Sequence, residues 1–381
     1  MVTYKYKLYP NKEQQQKLWL HANKLNWLYN YFLDMKIKAY EKDKTNISKY
    51  DLQKQLPKLK IEDTLLKEIY SQVVQQVTYR LDKTYSNFFR RGYGFPKFRS
   101  CKKFFGITYP QLGYSIQSNK FITKIYGNIK FIKHRNIHGN IKTVTIKNES
   151  NKWFLCIVTD YEKEKTGNGV IGIDVGITNL AALSNGEIIK NKTHAKYFDK
   201  HINTLKSRRD KCKKGSNKVR YLNIVIQRLY GAKNRKINDF QHKVSKNLSS
   251  IYDTIFIEKL NLKQMSEGKI TGLNRKLRNA KISSFIDKLK YKIKKVVQVN
   301  PAFTSQVCNN CGGIHEMPLS KRVYICECGY KEDRDVNAAK NILCLGQAIL
   351  EGVCTIEETI QKAFSLGKSS PHKNKKRKNS S

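Results

Sequence analysis

Three carboxylates stand where burial would be costly without a cation or another partner: Asp174 in VIGIDVG, Glu258 in TIFIEKL and Asp335 in DRDVNAAKN. Asp174 interrupts an otherwise apolar strand between Gly172 and Gly176, whose missing side chains let a backbone or a phosphate come close. Glu258 closes a run of β-forming apolar residues, and Asp335 leads a helix whose Ala338 and Ala339 permit tight packing on a sheet. Singly, an acidic residue at a strand end is more often a solvated or capping group. As an ordered set, strand–Asp, strand–Glu and Asp–helix describe carboxylates that can converge. Such a group can bind two divalent ions ~3.5–4 Å apart, which activate water and stabilise the leaving oxygen in phosphodiester hydrolysis. Ligands that are all oxygen favour Mg²⁺ or Mn²⁺ over zinc.

A second cluster has different chemistry. CNNCGGIHEMPLSKRVYICECG places Cys308-x2-Cys311, then fourteen residues, then Cys326-x-Cys328, with glycines after both pairs. Four thiolates fill a tetrahedral zinc and leave no open position, so this Zn²⁺ is structural, the staple of a small ribbon. The Cys-x-Cys pair makes a tighter knuckle than the commoner Cys-x2-Cys. His315 lies inside the loop and reads as a solvated histidine, with a substitute ligand as the alternative. Cys101, Cys156, Cys212, Cys344 and Cys354 are scattered singly and read as buried thiols in a reducing compartment.

Lysine and arginine number 74 against 30 acidic residues, a formal charge of +44 over 381 residues. A compact chain with that excess repels itself unless a polyanion neutralises it, and the spread of the charge along the chain points to nucleic acid. The basic tracts at 200–248 and 263–281, with Arg208, Arg209, Arg220, Arg228, Arg235, Arg275 and Arg278, are expected to contact phosphates and set orientation without reading sequence. Gln72, Gln76, Tyr79 and Lys83 share one helix face and form a candidate base-reading surface, against a merely solvated face. Aromatics among basic residues at 88–105 (Phe88, Phe89, Tyr93, Phe95, Phe98, Phe104) are divided between stacking on unpaired bases and core packing.

The elements that must position these groups follow from periodicity. Residues 2–9 alternate as a strand; helical spacing follows from Leu18 to Phe32 and again over 62–90; RRGYGFPKFRS (90–100) is a loop; and 103–165 breaks into short alternating runs spaced like a small antiparallel barrel that the opening strand joins. GNG at 167–169 marks a boundary. Beyond it, 170–190 reads as two or three strands, 196–248 as basic helix, 254–260 as a buried strand, 283–295 as helix, 295–300 as strand, and a helix starts at Asp335. The tail SSPHKNKKRKNSS carries no acidic residue and no apolar pattern, and is expected to be disordered. No apolar run is long enough for a signal peptide or a membrane span, so the expected location is the cytoplasm, with nucleoid association, or the nucleus if the source is eukaryotic.

These residues resemble the TnpB (OrfB-type) family of transposon-encoded proteins, related to compact type V CRISPR effectors and to Fanzor. The resemblance spans nearly the whole chain: KYKLYPNKEQQQKL and NWLYNYFL at the start, RRGYGFPKFRS before the barrel, then GIDVGITNLA, IFIEKLNLKQM, NPAFTSQVCNNCG and CECGYKEDRDVNAAKNIL in order. It implies an α/β multidomain protein: a wedge-type antiparallel β barrel (1–10 and 101–165) with an inserted helical recognition lobe (11–100), a RuvC-like RNase H fold (168–301 and 330–350), an inserted zinc-ribbon target-binding module (302–329), and a basic tail (351–381). It also implies that Asp174, Glu258 and Asp335 are a catalytic triad holding Mg²⁺. By the same resemblance, a transposon-derived guide RNA directs cleavage of double-stranded target DNA beside a short transposon-adjacent motif. Guide dependence comes from the resemblance alone. The competing readings are a guided DNA-binding regulator that does not cut and an accessory transposase. Retention of all three carboxylates favours the nuclease.

Overall fold

A computed structural model describes residues 1–162, 164–192, 194–260, 273–318 and 321–352, the side chains at 194–195, 273–275 and 278 excepted. The chain divides into two compact units, Met1–Lys163 with Asn223–Arg228 and Glu164–Leu222 with Leu229–Ser381.

In the first unit, β1 (Val2–Tyr9) buries alternate residues, Tyr4, Tyr6 and Leu8, as its polar–apolar alternation requires. Asn11 then caps α1 (Lys12–Asp43): its Oδ1 accepts from the Gln14 amide at 2.8 Å while the Gln14 side chain accepts from the Asn11 amide at 2.9 Å. The helix α2 (Lys49–Glu62) carries Pro57 in its interior, and the sequence reading gave it no element. The helical stretch expected over 62–90 is two helices, α3 (Thr64–Glu68) and α4 (Ser71–Arg91), separated by an extended Ile69. Six strands follow, β2 (Ile107–Tyr109), β3 (Ser115–Gln117), β4 (Lys120–Thr123), β5 (Gly127–Ile132), β6 (Ile141–Glu149) and β7 (Lys152–Thr159).

They form one antiparallel sheet in the order β2-β6-β7-β1-β5-β4-β3. The opening strand lies inside this sheet, with Tyr4 opposite Ile157 on one side and Leu8 opposite Phe131 on the other. The helices do not have a separate core. Leu18, Leu25 and Phe32 of α1 and Val73, Val77 and Leu81 of α4 belong to the same buried cluster as Tyr6, Phe131 and Leu155 of the sheet.

The second unit is built on a five-stranded sheet of β8 (Gly169–Asp174), β9 (Asn179–Leu183), β10 (Ile188–Lys190), β11 (Tyr252–Glu258) and β12 (Lys295–Val299), ordered β10-β9-β8-β11-β12. The first three strands are antiparallel neighbours, and β8–β11 and β11–β12 are parallel. Between β10 and β11 run α5 (His194–Asp210) and α6 (Asn217–Ile251), and between β11 and β12 lie α7 (Leu273–Ala280) and α8 (Ile282–Lys292). A small hairpin, β13 (Val323–Ile325) with β14 (Lys331–Asp333), precedes α9 (Arg334–Leu350).

Side chains alternate across this sheet. Ile171, Ile173, Ile255 and Ile257 face a core shared with Phe285, Ile286 and Leu289 of α8, while Phe256 and Val299 face Ile342 and Leu345 of α9. The approach of α9 is unusually close at two glycines. A Cβ on Gly172 would fall inside the Ala339 carbonyl, and one on Gly346 inside the Phe256 ring. No helix among the described residues is long and apolar enough to cross a membrane. The expected disordered tail from 353 and most of the basic stretch at 263–281 lie outside the described residues.

Candidate functional site

The alternation that puts Ile171, Ile173, Ile255 and Ile257 on one face of the sheet puts Gly172, Asp174, Phe256 and Glu258 on the other, under α9. Asp174 and Glu258 are the last residues of adjacent parallel strands, each one step past the paired Ile173 and Ile257, so they end abreast. Asp335 reaches the same place from the start of α9. The helix cap is Asp333 rather than Asp335: its Oδ1 accepts from the amides of Asp335 at 2.9 Å and Val336 at 3.3 Å, which leaves the Asp335 carboxylate out of the capping role.

Asp174 feels the other two carboxylates. The Asp174 carboxyl is pushed up to about 8, first by burial, then by the charges of Glu258 and Asp335, with Arg334 offsetting part of this. Burial also raises Glu258, opposed by a hydrogen bond from the Thr304 hydroxyl. Asp335 is oriented on both oxygens: Asn179 Nδ2 donates to Oδ2 at 3.0 Å, Arg334 donates to Oδ1 at 2.9 and 3.2 Å, and Arg322 lies 3.8 Å from Oδ2. Among the described residues, the cysteines are the one set of three or more potential ligands whose donor atoms all lie within 4.8 Å of one another. The oxygens of the three carboxylates therefore do not all lie within 4.8 Å of one another, and Asp335 is turned towards Arg334.

The cysteine set comprises Cys308, Cys311, Cys326 and Cys328, gathered despite the tight second knuckle. Cys308 and Cys328 sulfurs are 3.8 Å apart and those of Cys311 and Cys326 3.5 Å. A tetrahedron with arms of ~2.3 Å has edges of ~3.8 Å, so the donors fit zinc in both number and spacing. The positive φ of Gly312 (75°) and Gly329 (83°) lets each knuckle reverse behind its pair. Hydrogen bonds from the Tyr330 amide and the Asn310 side chain hold Cys328 down at about 6, favouring the thiolate a metal requires. His315 is not a solvated loop residue: its Nε2 lies 3.1 Å from Cys326 Sγ, in contact with a thiol that burial pushes up.

The ribbon is tied to the carboxylates by residues the sequence reading passed over. Asn337 and Asn341, fully buried one turn apart on α9, both donate to the Val307 carbonyl, at 2.9 and 2.7 Å, and Asn341 also donates to the Thr304 carbonyl at 2.8 Å. Asn309, between the first two cysteines, returns bonds to Asn337 at 3.1 Å and Asn341 at 3.0 Å. Their only signal in sequence is two asparagines at i, i+4 on the helix face otherwise built of Ala339 and Ile342.

The other candidates are dispersed. On α4, Gln72 is half-buried and accepts from the Leu112 amide at 3.5 Å, Gln76 is half-buried, and Tyr79 and Lys83 are exposed, with Lys49 5.2 Å over the Tyr79 ring. Arg208 and Arg209 close α5, where Arg209 pairs with Asp210 at 2.8 Å. Arg275 and Arg278 lie on α7, with side chains outside the described residues. Of the aromatics at 88–105, Phe104 packs edge-on against Trp19 and Trp153.

Three family models match the chain: an OrfB/IS605 "Probable transposase" over 144–269, a "Cas12f1-like, TNB domain" over 283–342, and an OrfB/IS605 "Helix-turn-helix domain" over 1–45, a segment that here folds as β1 and α1. The "Putative RNA-guided DNA endonuclease InsQ" of Escherichia coli is 28% identical over 91% of this chain and 92% of its own length. The "TnpB-like protein MJ0751" of Methanocaldococcus jannaschii is 30% identical over 58% of this chain and 84% of its own. Among solved structures, the Cas12f1 chain of a complex with single-guide RNA and target DNA superposes with a TM-score of 0.55 at 15% identity, over 87% of this chain and 83% of that one, a likeness of fold.

Proposed function

The chain belongs to the TnpB family, and on that premise we propose that it is the RNA-guided DNA endonuclease of a transposable element, cutting at Asp174, Glu258 and Asp335. The observation that carries this reading is the meeting of Asp174 and Glu258 at adjacent strand ends beneath the helix that delivers Asp335, where burial first and the charges of Glu258 and Asp335 second raise Asp174 to about 8. Groups that resist ionisation for this reason are sites for divalent cations, whose charge relieves the repulsion. The sheet, three antiparallel strands continued by two parallel ones, supports a RuvC-like, RNase H-type reading of this unit, and the seven-stranded sheet supports a wedge-type reading of the other.

The three carboxylates would hold Mg²⁺ or Mn²⁺, which supplies an activated water and charge stabilisation for the leaving oxygen. The chain's own residues set the geometry. Thr304 fixes the Glu258 rotamer, and Asn179 and Arg334 fix that of Asp335. The ribbon would hold Zn²⁺ and brace α9 through the asparagine network. With +44 to neutralise, the guide RNA and the DNA duplex are the partners the charge calls for.

The test uses the protein purified with its bound RNA, incubated with a guide-matched duplex and Mg²⁺. Wild type cuts, while Asp174→Ala binds the same duplex without cutting. Binding without cleavage by the wild type would instead support a guided regulator, and cleavage surviving in Asp174→Ala would remove the assignment.

A further inference from the structure

The end of α4 and the loop after it carry a run of aromatic rings, anchored on the core through half-buried Tyr85 and open to solvent further along. Tyr85, Phe88, Phe89 and Phe95 form one connected group, with centroids 5.0 Å apart for Phe88–Phe89, 5.4 Å for Phe88–Phe95 and 5.9 Å for Tyr85–Phe95. Within this group Phe89 remains 73% exposed, and beyond it Tyr93 is 63% and Phe98 59% exposed. Three large aromatic side chains more than half exposed within ten residues of chain mark a candidate interaction surface. Its base is rigid. Gly92 reverses the chain with φ 62°, and beyond the rings Arg99 is locked to α1: its amide donates to Asn30 Oδ1 at 2.7 Å, its Nε donates to Asn26 Oδ1 at 3.0 Å, and its guanidinium lies 4.7 Å over Phe105.

The charge around the rings identifies the class of partner. Residues 83–103 hold seven cations (Lys83, Arg90, Arg91, Lys97, Arg99, Lys102, Lys103) and no acidic residue. Rings set among unopposed cations match a ligand with flat π-faces on a polyanionic backbone, which is unpaired nucleic acid. A second copy would bring the same seven charges against itself. Duplex DNA keeps its base faces stacked on one another, whereas the loops, bulges and ends of an RNA offer unstacked bases.

We propose that Phe89, Tyr93 and Phe98 form a stacking platform for unpaired bases of the bound RNA. The identity of the partner rests on the function proposed above; the platform itself rests on the rings and charges.

Ultraviolet crosslinking of the copurified ribonucleoprotein, followed by peptide mass spectrometry, should find nucleotide adducts on Phe89, Tyr93 or Phe98 before any target is added. With the full chain stripped of RNA and a labelled, unstructured RNA oligonucleotide, Phe89→Ala or Phe98→Ala should weaken binding by on the order of tenfold. The dependence of affinity on salt should keep its slope, because no phosphate contact is lost. Phe89→Trp should bind as wild type, and Phe89→Leu, apolar but without a ring, should not. The proposal fails if no adduct forms, if leucine substitutes fully, if the loss comes with a shallower salt slope, if adducts form only with DNA after target addition, or if the variants change a self-association seen by sedimentation. None of these readouts uses cleavage, so an inactive triad would leave this result standing, and an active one would not supply it.

Discussion

Asn309, one residue past Cys308, donates to Asn341 Oδ1 at 3.0 Å on the helix whose first turn carries Asp335. Asn341 is fully buried, so removing its half-buried donor leaves the Asn341 Oδ1 unsatisfied. Asn309→Ala should destabilise the second unit by about 1–3 kcal/mol in denaturant melts. Cys308→Ser should lower bound zinc per chain, and cleavage should fall with the folded fraction. Full zinc content in Cys308→Ser would contradict the ligand assignment.

Asp174 makes the stability of the metal-free protein depend on pH. Its carboxyl titrates at about 8 when folded against an ordinary value of 3.8, so between these values the folded state holds a proton that the unfolded state has lost. Stability from this group is complete below about pH 4, falls by at most ~1.4 kcal/mol per pH unit as pH rises, and is gone above about 8. Mg²⁺ should therefore raise the melting temperature more at pH 8 than at pH 5. Asp174→Asn should flatten both the pH slope and the Mg²⁺ effect, which parallel melts of the two proteins would measure.

Gly172 and Gly346 are where α9 touches the sheet. Any side chain at Gly172 meets the Ala339 carbonyl, a backbone group that cannot swing aside. Gly172→Ala should cost about 3 kcal/mol or more, as seen by chemical denaturation. Gly346→Ala meets only the Phe256 ring, so Phe256→Leu should restore part of its loss.

Thr304 donates to Glu258 from a buried position while its carbonyl accepts from Asn341. Thr304→Val keeps the shape and deletes the hydroxyl. Cleavage should drop about tenfold or more, consistent with the ~1.5–3 kcal/mol of a hydrogen bond to a charged group, and the acidic limb of its pH profile should move upward because Glu258 loses the bond that opposes its burial. Unchanged cleavage and pH profile in Thr304→Val would remove Thr304 from the site.

The strands were legible where polar–apolar alternation is strict, as in 2–9, or where a short apolar run is unbroken, as in 254–260, and the three carboxylates stood out because each breaks or ends an apolar strand or opens a helix. The cysteines announced themselves by spacing. What stayed hidden depends on contacts distant in sequence. His315 read as solvated because nothing local brings it to Cys326, and Asn309, Asn337 and Asn341 are ordinary polar residues until the ribbon and α9 come together. The helix expected to start at Asp335 starts one residue earlier, at Arg334, with Asp333 as its cap, since DRD offers two acids and only the hydrogen bonds choose between them. Pro57 inside α2 hid a helix whose core contacts at Leu52 and Leu56 sustain it.

The most direct test of the account is anomalous diffraction from the RNA- and DNA-bound protein soaked in Mn²⁺. Two peaks ~3.5–4 Å apart, within coordination distance of Asp174, Glu258 and Asp335, are the predicted result. A site occupied at full substrate loading that excludes any one of the three, or no manganese beside them at all, would contradict it.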